Sequence, residues 1–305
     1  DNGWYLFADA LYWHADVGDA DWGVKFSNET STGQNGVMHH LDFKWSWGFK
    51  AGIGVNMDHD MWDTNFYYTW FRTENSNAMG VNDTLPNVTT FLPPVTTNVS
   101  TKLHWSIQFS MFDWELGRWF YVSKSLSLRP HVGVKGGWIN QERKVDSSLL
   151  SDEIVSTGAS RFANDFWGVG PSAGLNTMWV LGSAGANMDH RFSFFGDFAG
   201  ALMYGHFHDT YSVAEVTSNV TSNVKITNLD RNLAVPMLQT AFGLSWDTSF
   251  NRARNHFMMK VGYELQYWFR QNQFLSHNTT FATDTLRCSA DLALQGVTAE
   301  LRFDF

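Results

Sequence analysis

Three histidine groups are the first residues able to bind a metal or move a proton. His206 and His208 lie two apart with Asp209 adjacent, and on a strand that spacing puts both imidazoles on one face. Asp58-His59-Asp60 and Asp189-His190 fall in segments that read as turns. Two imidazoles and a carboxylate could ligate zinc, but no spacing here matches a strong zinc motif. Ordinary polar turn residues are the expectation, with no metal and no cofactor. Serine and histidine are plentiful, yet no G-x-S-x-G elbow is present, and no base and orienting group are marked out around a nucleophile. The chain reads as a non-enzyme. Its one cysteine, Cys288, excludes an intrachain disulfide and leaves either an ordinary thiol or a crosslink between chains.

A larger constellation is the set of charged residues that recur on one side of alternating segments. Lys44, Lys50, Arg129, His131, Lys135, Asp197, Lys260, Glu264, Arg270, Glu300 and Arg302 belong to it, with Asp9 and Asp63. The stretch FKWSWGFKAGIGVNMD shows what positions them. Phe43, Trp45, Trp47, Phe49, Ala51, Ile53, Val55 and Met57 alternate with Lys44, Ser46, Gly48, Lys50, Gly52, Gly54, Asn56 and Asp58. Strict alternation means a β-strand. An apolar face of large aromatics against a polar face of glycine, serine and a few charges suits a wall with lipid outside and a crowded aqueous interior. From Phe257 the same design sets Val261, Tyr263 and Leu265 against Lys260, Glu264 and Gln266, and the chain closes with Leu301, Phe303 and Phe305 against Glu300, Arg302 and Asp304. Trp45, Trp47, Phe49, Ile53, Val261, Tyr263, Leu265 and Phe303 are therefore expected to face lipid, and the charged set to line the lumen.

Composition agrees. The 305 residues hold 15 Trp, 25 Phe and 25 Gly against 6 Pro, which suits interfacial aromatic girdles and closely packed strands. Mean hydropathy is -0.26, and barrels escape hydropathy scans because every second residue is polar. No run approaches the length of a helical span. The balance of 21 Lys and Arg to 30 Asp and Glu, net -9, argues against nucleic-acid binding. Asp1 opens at once on a strand-like pattern, so an exported chain would be the processed form.

Strands are expected at about 3–15, 43–58, 62–72, 103 onward, 126–141, 162–178, 191–207, 234–246, from 257, and at the C-terminus. Leu103, Trp105, Ile107, Phe109 and Met111 read as one outward row. Continuing that phase would put Asp113 and Glu115 into lipid, so the strand is expected to have left the hydrocarbon there, with a phase-shifting bulge as the alternative. Polar segments near 16–42, 73–101, 142–160, 209–232 and 272–287 read as long loops, alternating with short turns. That parity belongs to an antiparallel, up-and-down transmembrane β-barrel with short periplasmic turns and long extracellular loops. The count is about ten strands in one domain, 1–305, or twelve if a loop such as 73–101 hides a hairpin.

WSWGFKAGIGVNMDHDMWD, SLSLRPHVGVKGGWINQ, NDFWGVGPSAGL, FSFFGDFAGALMYGHF, VGYELQYWFRQNQ and the LRFDF ending, in this order, resemble the pore-forming, major-outer-membrane-protein-like family of legionella-like and chlamydia-like bacteria. The resemblance covers most strands and little of the loops. It implies an outer-membrane channel for small solutes and carries over no catalytic residue. The single cysteine departs from the disulfide-crosslinked chlamydial proteins. Phe305, closing an alternating strand, resembles the terminal signal read by barrel-assembly machinery.

The expected function is passive diffusion of small hydrophilic solutes or ions, with the alternative of a closed structural or adhesive barrel acting through its loops. Asp16, Asp19, Asp21, Glu29, Asp146, Asp152 and Glu153 put negative charge at the mouth, which would favour cations weakly. Expected partners are outer-membrane lipid, the assembly machinery, solutes or ions and a second copy in a homo-oligomer. The Asn-X-Ser/Thr triplets at Asn28, Asn82, Asn87, Asn98, Asn219 and Asn278 report loop composition in a bacterial barrel.

Overall fold

The computed structural model describes residues 3–18, 20–30, 33–57, 60–80, 88–90, 100–151, 154–185, 190–217, 220–226, 230–250, 255–277 and 285–305. Every regular element among them is a strand. They are β1 (Gly3–Val17), β2 (Asp21–Thr30), β3 (Gly33–His40), β4 (Ser46–Asn56), β5 (Trp62–Gly80), β6 (Val88–Thr90), β7 (Ser100–Arg118) and β8 (Phe120–Tyr121). After these come β9 (Leu126–Ser151), β10 (Ile154–Ala184), β11 (His190–Thr217), β12 (Val220–Ile226), β13 (Arg231–Phe250), β14 (Asn255–His277) and β15 (Thr285–Asp304).

β1, β4, β5, β7, β9, β10, β11, β13, β14 and β15 pair antiparallel in that order, and β15 returns to β1, closing a ten-stranded barrel. Closure leaves no free edge in the hydrocarbon, which a membrane strand cannot tolerate. The extra strands add nothing to the ring: β8 pairs β9, β12 folds back on β11, and β2, β3 and β6 form a separate sheet.

Outward tryptophans mark the bilayer edge on one side of the barrel. Trp70, Ser110, Trp138, Trp167 and His206 are register neighbours on successive strands and point outward, a belt of the kind that sits at a membrane interface. Because the strands tilt, the row descends beyond Trp70 through Phe49, Ala10 and Ala299 to Val261 at bilayer depth. The next outward row up is Arg72, Gln108, Asn140, Asp165 and His208, all exposed. Such a row belongs in water. Below the belt the outer face is apolar down to Trp179, twelve residues from Trp167 on β10. That is about 40 Å of strand, or roughly 28 Å of height at a 45° tilt, enough to cross the hydrocarbon.

Above the belt the strands run on. β9 and β10 extend up to Ser151 and Ile154, and β5, β7, β11, β14 and β15 rise with them. This corrects the expected loops 16–42, 73–101, 142–160, 209–232 and 272–287: β2 and β3 occupy much of the first, and much of the others is projecting strand. Residues 81–87, 91–99, 152–153, 218–219 and 278–284 lie outside the described residues, as do Asp19, Asp58, His59 and Asp189.

Projection inverts the hydropathy pattern. Leu103, Trp105, Ile107, Phe109 and Met111 are all 0% exposed. They face inward, on the same row as Asp113 and Glu115, and no register shift interrupts β7 on either side. The expectation that this apolar row faced lipid is wrong because water lies outside the wall at that height, and Lys102, His104, Ser106 and Gln108 form the outer row.

Phe43 is corrected too. β4 begins at Ser46, and residues 41–45 are not strand. There Leu41 and Phe43 are buried, with Phe43 edge-on to Trp105 at 5.4 Å. Thr73 Oγ1 donates to Lys44 O (3.0 Å), Asn75 Nδ2 to Asp42 O (2.5 Å) and Asn77 Nδ2 to His40 O (3.4 Å). The ladder between β4 and β5 ends at Gly48–Phe71 and that between β1 and β4 at Trp13–Ser46. Above that height a strap of irregular chain, held by side chains of β5, lies between β5 and β1.

Candidate lumenal site and its septum

Toward the periplasmic end the lumen is a lattice of paired charges. Lys50 Nζ stands 3.4 Å from Asp9 Oδ2 and 3.3 Å from Glu264 Oε2. Glu264 also accepts from Gln239 Nε2 (2.9 Å), Gln266 Nε2 (3.0 Å) and Thr298 Oγ1 (3.2 Å). Arg129 Nε reaches both oxygens of Asp63 at 2.9 Å, while its Nη1 donates to Glu115 Oε2 (3.1 Å) and Asn176 Oδ1 (2.8 Å). Lys135 pairs with Asp113, and Lys260 with Glu300 at 3.4 Å. Asp197 accepts from Asn176 Nδ2 at 2.9 Å, and His131 Nδ1 lies 3.7 Å from Glu115. Arg302 bonds Asp304 at 2.7 Å with its guanidinium 3.6 Å from the Tyr5 ring centroid.

Glycines make room for these long side chains. A Cβ at Gly52 would stand 2.5 Å from Phe7 Cζ and 2.6 Å from Tyr67 Cβ, and one at Gly117 2.5 Å from Arg129 Nε. The lattice surrounds a cavity of about 290 Å³ whose lining includes Trp119, Tyr121, Arg191 and His256 at the strand ends.

Lys50, Arg129, His131, Lys135, Asp197, Lys260, Glu264, Glu300 and Arg302 thus sit together inside the wall, with Asp9 and Asp63. Two expected members do not. Lys44 is exposed on the strap above β4. Arg270 is exposed at a bulge in β14, with φ +55° and its N–H on Asp291 Oδ1 at 2.7 Å; the bulge breaks the alternation that pointed it inward. Asp113, Glu115, Asn176 and Gln239 were missed. The shared row of Asp113 and Glu115 with Met111 was the available signal.

Trp45, Trp47, Phe49, Ile53, Val261 and Phe303 lie exposed on the outer face, and Tyr263 and Leu265 lie half-buried beside them. Phe305 is exposed, stacked on Phe303 at 6.0 Å, with its N–H on Trp4 O at 3.0 Å. His206 and His208 share the outer face but bond Asn232 (2.8 Å) and Asp230 (2.6 Å), while Asp209 points inward. The three do not converge, and no cluster of metal-ligand geometry occurs among the described residues.

Above the lattice the lumen is closed. Leu11 and Trp13 of β1, Phe71 of β5, Phe109 and Met111 of β7, Ile139 of β9 and Phe166 of β10 are at most 1% exposed. So are Met203 of β11, Val235 and Met237 of β13, Trp268 of β14 and Leu294 of β15. β4 contributes Gly48, whose missing Cβ would lie 3.2 Å from Phe71 Cδ2. Every barrel strand feeds this septum. Trp268 and Phe109 meet edge to face at 5.7 Å from strands five positions apart in the ring of ten. A ten-stranded barrel is narrow enough for side chains to bridge it.

The whole chain, residues 1–305, matches the sequence profile described as Legionella pneumophila major outer membrane protein precursor. The chain belongs to that family. Membership and the closed barrel place this major outer membrane protein relative in the bacterial outer membrane. No curated protein matches it. Among solved structures it is similar to the outer membrane protease OmpT of Escherichia coli, at TM-score 0.46 and 9% identity over 99% of this chain and 96% of that one. It is also similar to a Pseudomonas aeruginosa FadL homologue, at TM-score 0.27 and 11% identity over 100% and 90%. The Pseudomonas putida toluene transporter TodX follows, at TM-score 0.26 and 10% identity over 99% and 89%.

Proposed function

We propose that this family member is a non-enzymatic outer-membrane channel for small hydrophilic solutes or ions that rests closed. The observation that supports it is the charge-lined cavity of about 290 Å³ inside the barrel: the lattice is polar where a purely structural barrel could be filled with apolar side chains at lower desolvation cost. Carboxylates outnumber Lys and Arg in the lattice, so its field favours cations. Phe305 serves as the assembly signal in this reading.

A second reading is favoured by the septum itself. A barrel sealed by side chains from every strand, with strands standing above the bilayer, would act as a structural or adhesive surface protein. Planar-bilayer recording of refolded, heat-modifiable protein separates the two. Conductance steps with a reversal potential of cation sign are expected for the channel, from the wild type or from variants that thin the septum. An anion-sign potential would sink the cation preference, and silence from all of them would leave the closed barrel.

A further inference from the structure

We propose that Trp268, closed against Phe109, is the gate of the permeation route, and that the route follows the inner face of β14. This rests on the channel reading above. Below Trp268 that face carries Lys260, Glu264 and Gln266; above it the bulge between Trp268 and Asn272 turns Gln271 and Asn272 inward. Both are 0% exposed. Neither amide atom of Gln271 has a partner among the described residues, nor do Asn272 Oδ1, Gln266 Oε1 or the Trp268 indole N–H.

A buried polar group left unsatisfied costs about 1–3 kcal/mol, so a file of them along one strand calls for water or a passing solute. Elsewhere the septum is apolar, as at Val235 and Met203, and the unpartnered amides of Gln141 on β9 and Asn164 on β10 stand above Ile139 and Phe166. On β14 the amides flank an indole that reaches the opposite wall at Phe109. One indole therefore separates two polar half-tracks, and hydrophobic constrictions of this kind close by excluding water. Moving the indole off Phe109 joins Gln266 to Gln271. The permeant that fits is a small hydrated cation, carried by amide dipoles through the septum and by the acidic lattice below it.

The test is planar-bilayer recording in potassium chloride of refolded wild type, Trp268→Ala, Phe109→Ala and Val235→Ala, each shown to be folded by heat modifiability. Trp268→Ala is expected to raise conductance about tenfold by removing the dewetted constriction, and Phe109→Ala, from the opposite wall, to do the same if Trp268→Ala fails to fold. Val235→Ala, which also empties volume in the septum, should match wild type. A silent wild type beside a conducting Trp268→Ala supports the gate. Equal gains from Val235→Ala, or a conducting wild type that neither gate variant changes, overturn the gate and leave the channel standing. Silence from every folded form overturns both.

Discussion

Lys50 on β4 and Glu264 on β14 form a 3.3 Å ion pair across two intervening strands, β1 and β15. Asp9 on β1 joins them at 3.4 Å. All three are at least nine-tenths buried, so one ammonium tethers three strands on both sides of the seam where the first and last strands of the chain meet.

Lys50→Ala should strip the counter-charge from two buried carboxylates. Removing one partner of a buried pair costs about 3–5 kcal/mol. A lowered guanidinium midpoint of the folded protein in detergent is the expected result, with Lys50→Ala/Glu264→Gln recovering part of the loss. Unchanged midpoints would mean that water screens the lattice.

The outward rows fix where charge is tolerated. Val261→Arg places a cation on the lipid face at bilayer depth, at a cost of about 2–4 kcal/mol at mid-membrane, and should lower the yield of assembled barrel. Gln108→Arg, one row above the tryptophan belt, should assemble like wild type. Equal yields from the two would move the bilayer boundary.

Gly52→Val drives side-chain atoms into Phe7 and Tyr67, and overpacking of this kind costs about 1–3 kcal/mol. The heat-modifiable fraction after refolding should fall. Gly182→Ala meets nothing within 4 Å and should refold normally; parity between these variants would show that the lumen yields freely.

Phe305 stacks on Phe303 at the outer face of its own strand end and bonds Trp4 O. Phe305→Ala should therefore reduce the barrel assembled in cells while leaving refolding into detergent micelles unchanged. A matching loss in both settings would assign Phe305 to stability and remove its role as a signal.

The membrane-embedded half of the fold was legible because lipid imposes one sign on the alternation: Trp47, Phe49 and Ile53 out, Lys50 in. Above the belt the sign reverses. Leu103 to Met111 alternate as strictly as Phe49 to Ile53, and period alone cannot tell a lipid-facing row from a core-facing one. The second row decides it, since Lys102, His104 and Gln108 could not face a closed interior. Local breaks were invisible for another reason. The bulge that exposes Arg270 and the strap that carries Lys44 outward are set by tertiary contacts, with Asp291 and with Thr73, Asn75 and Asn77, that no local pattern encodes. Asp113 and Glu115 were missed because their row, with Phe109 and Met111 of the septum, had been assigned to the outside. The rest of the septum was missed because apolar residues such as Trp268 on a polar row carry no local sign that they meet across the lumen.

The strap at 41–45 is joined to β5 by a hydroxyl and an amide, with a second amide on His40 O just before it, and to the core by Leu41 and Phe43. Its carbonyls are what those side chains grasp, so the bonds are indifferent to which residues stand at His40, Asp42 and Lys44. This part of the wall can therefore change its exposed side chains without any change in the ladder that keeps the barrel closed.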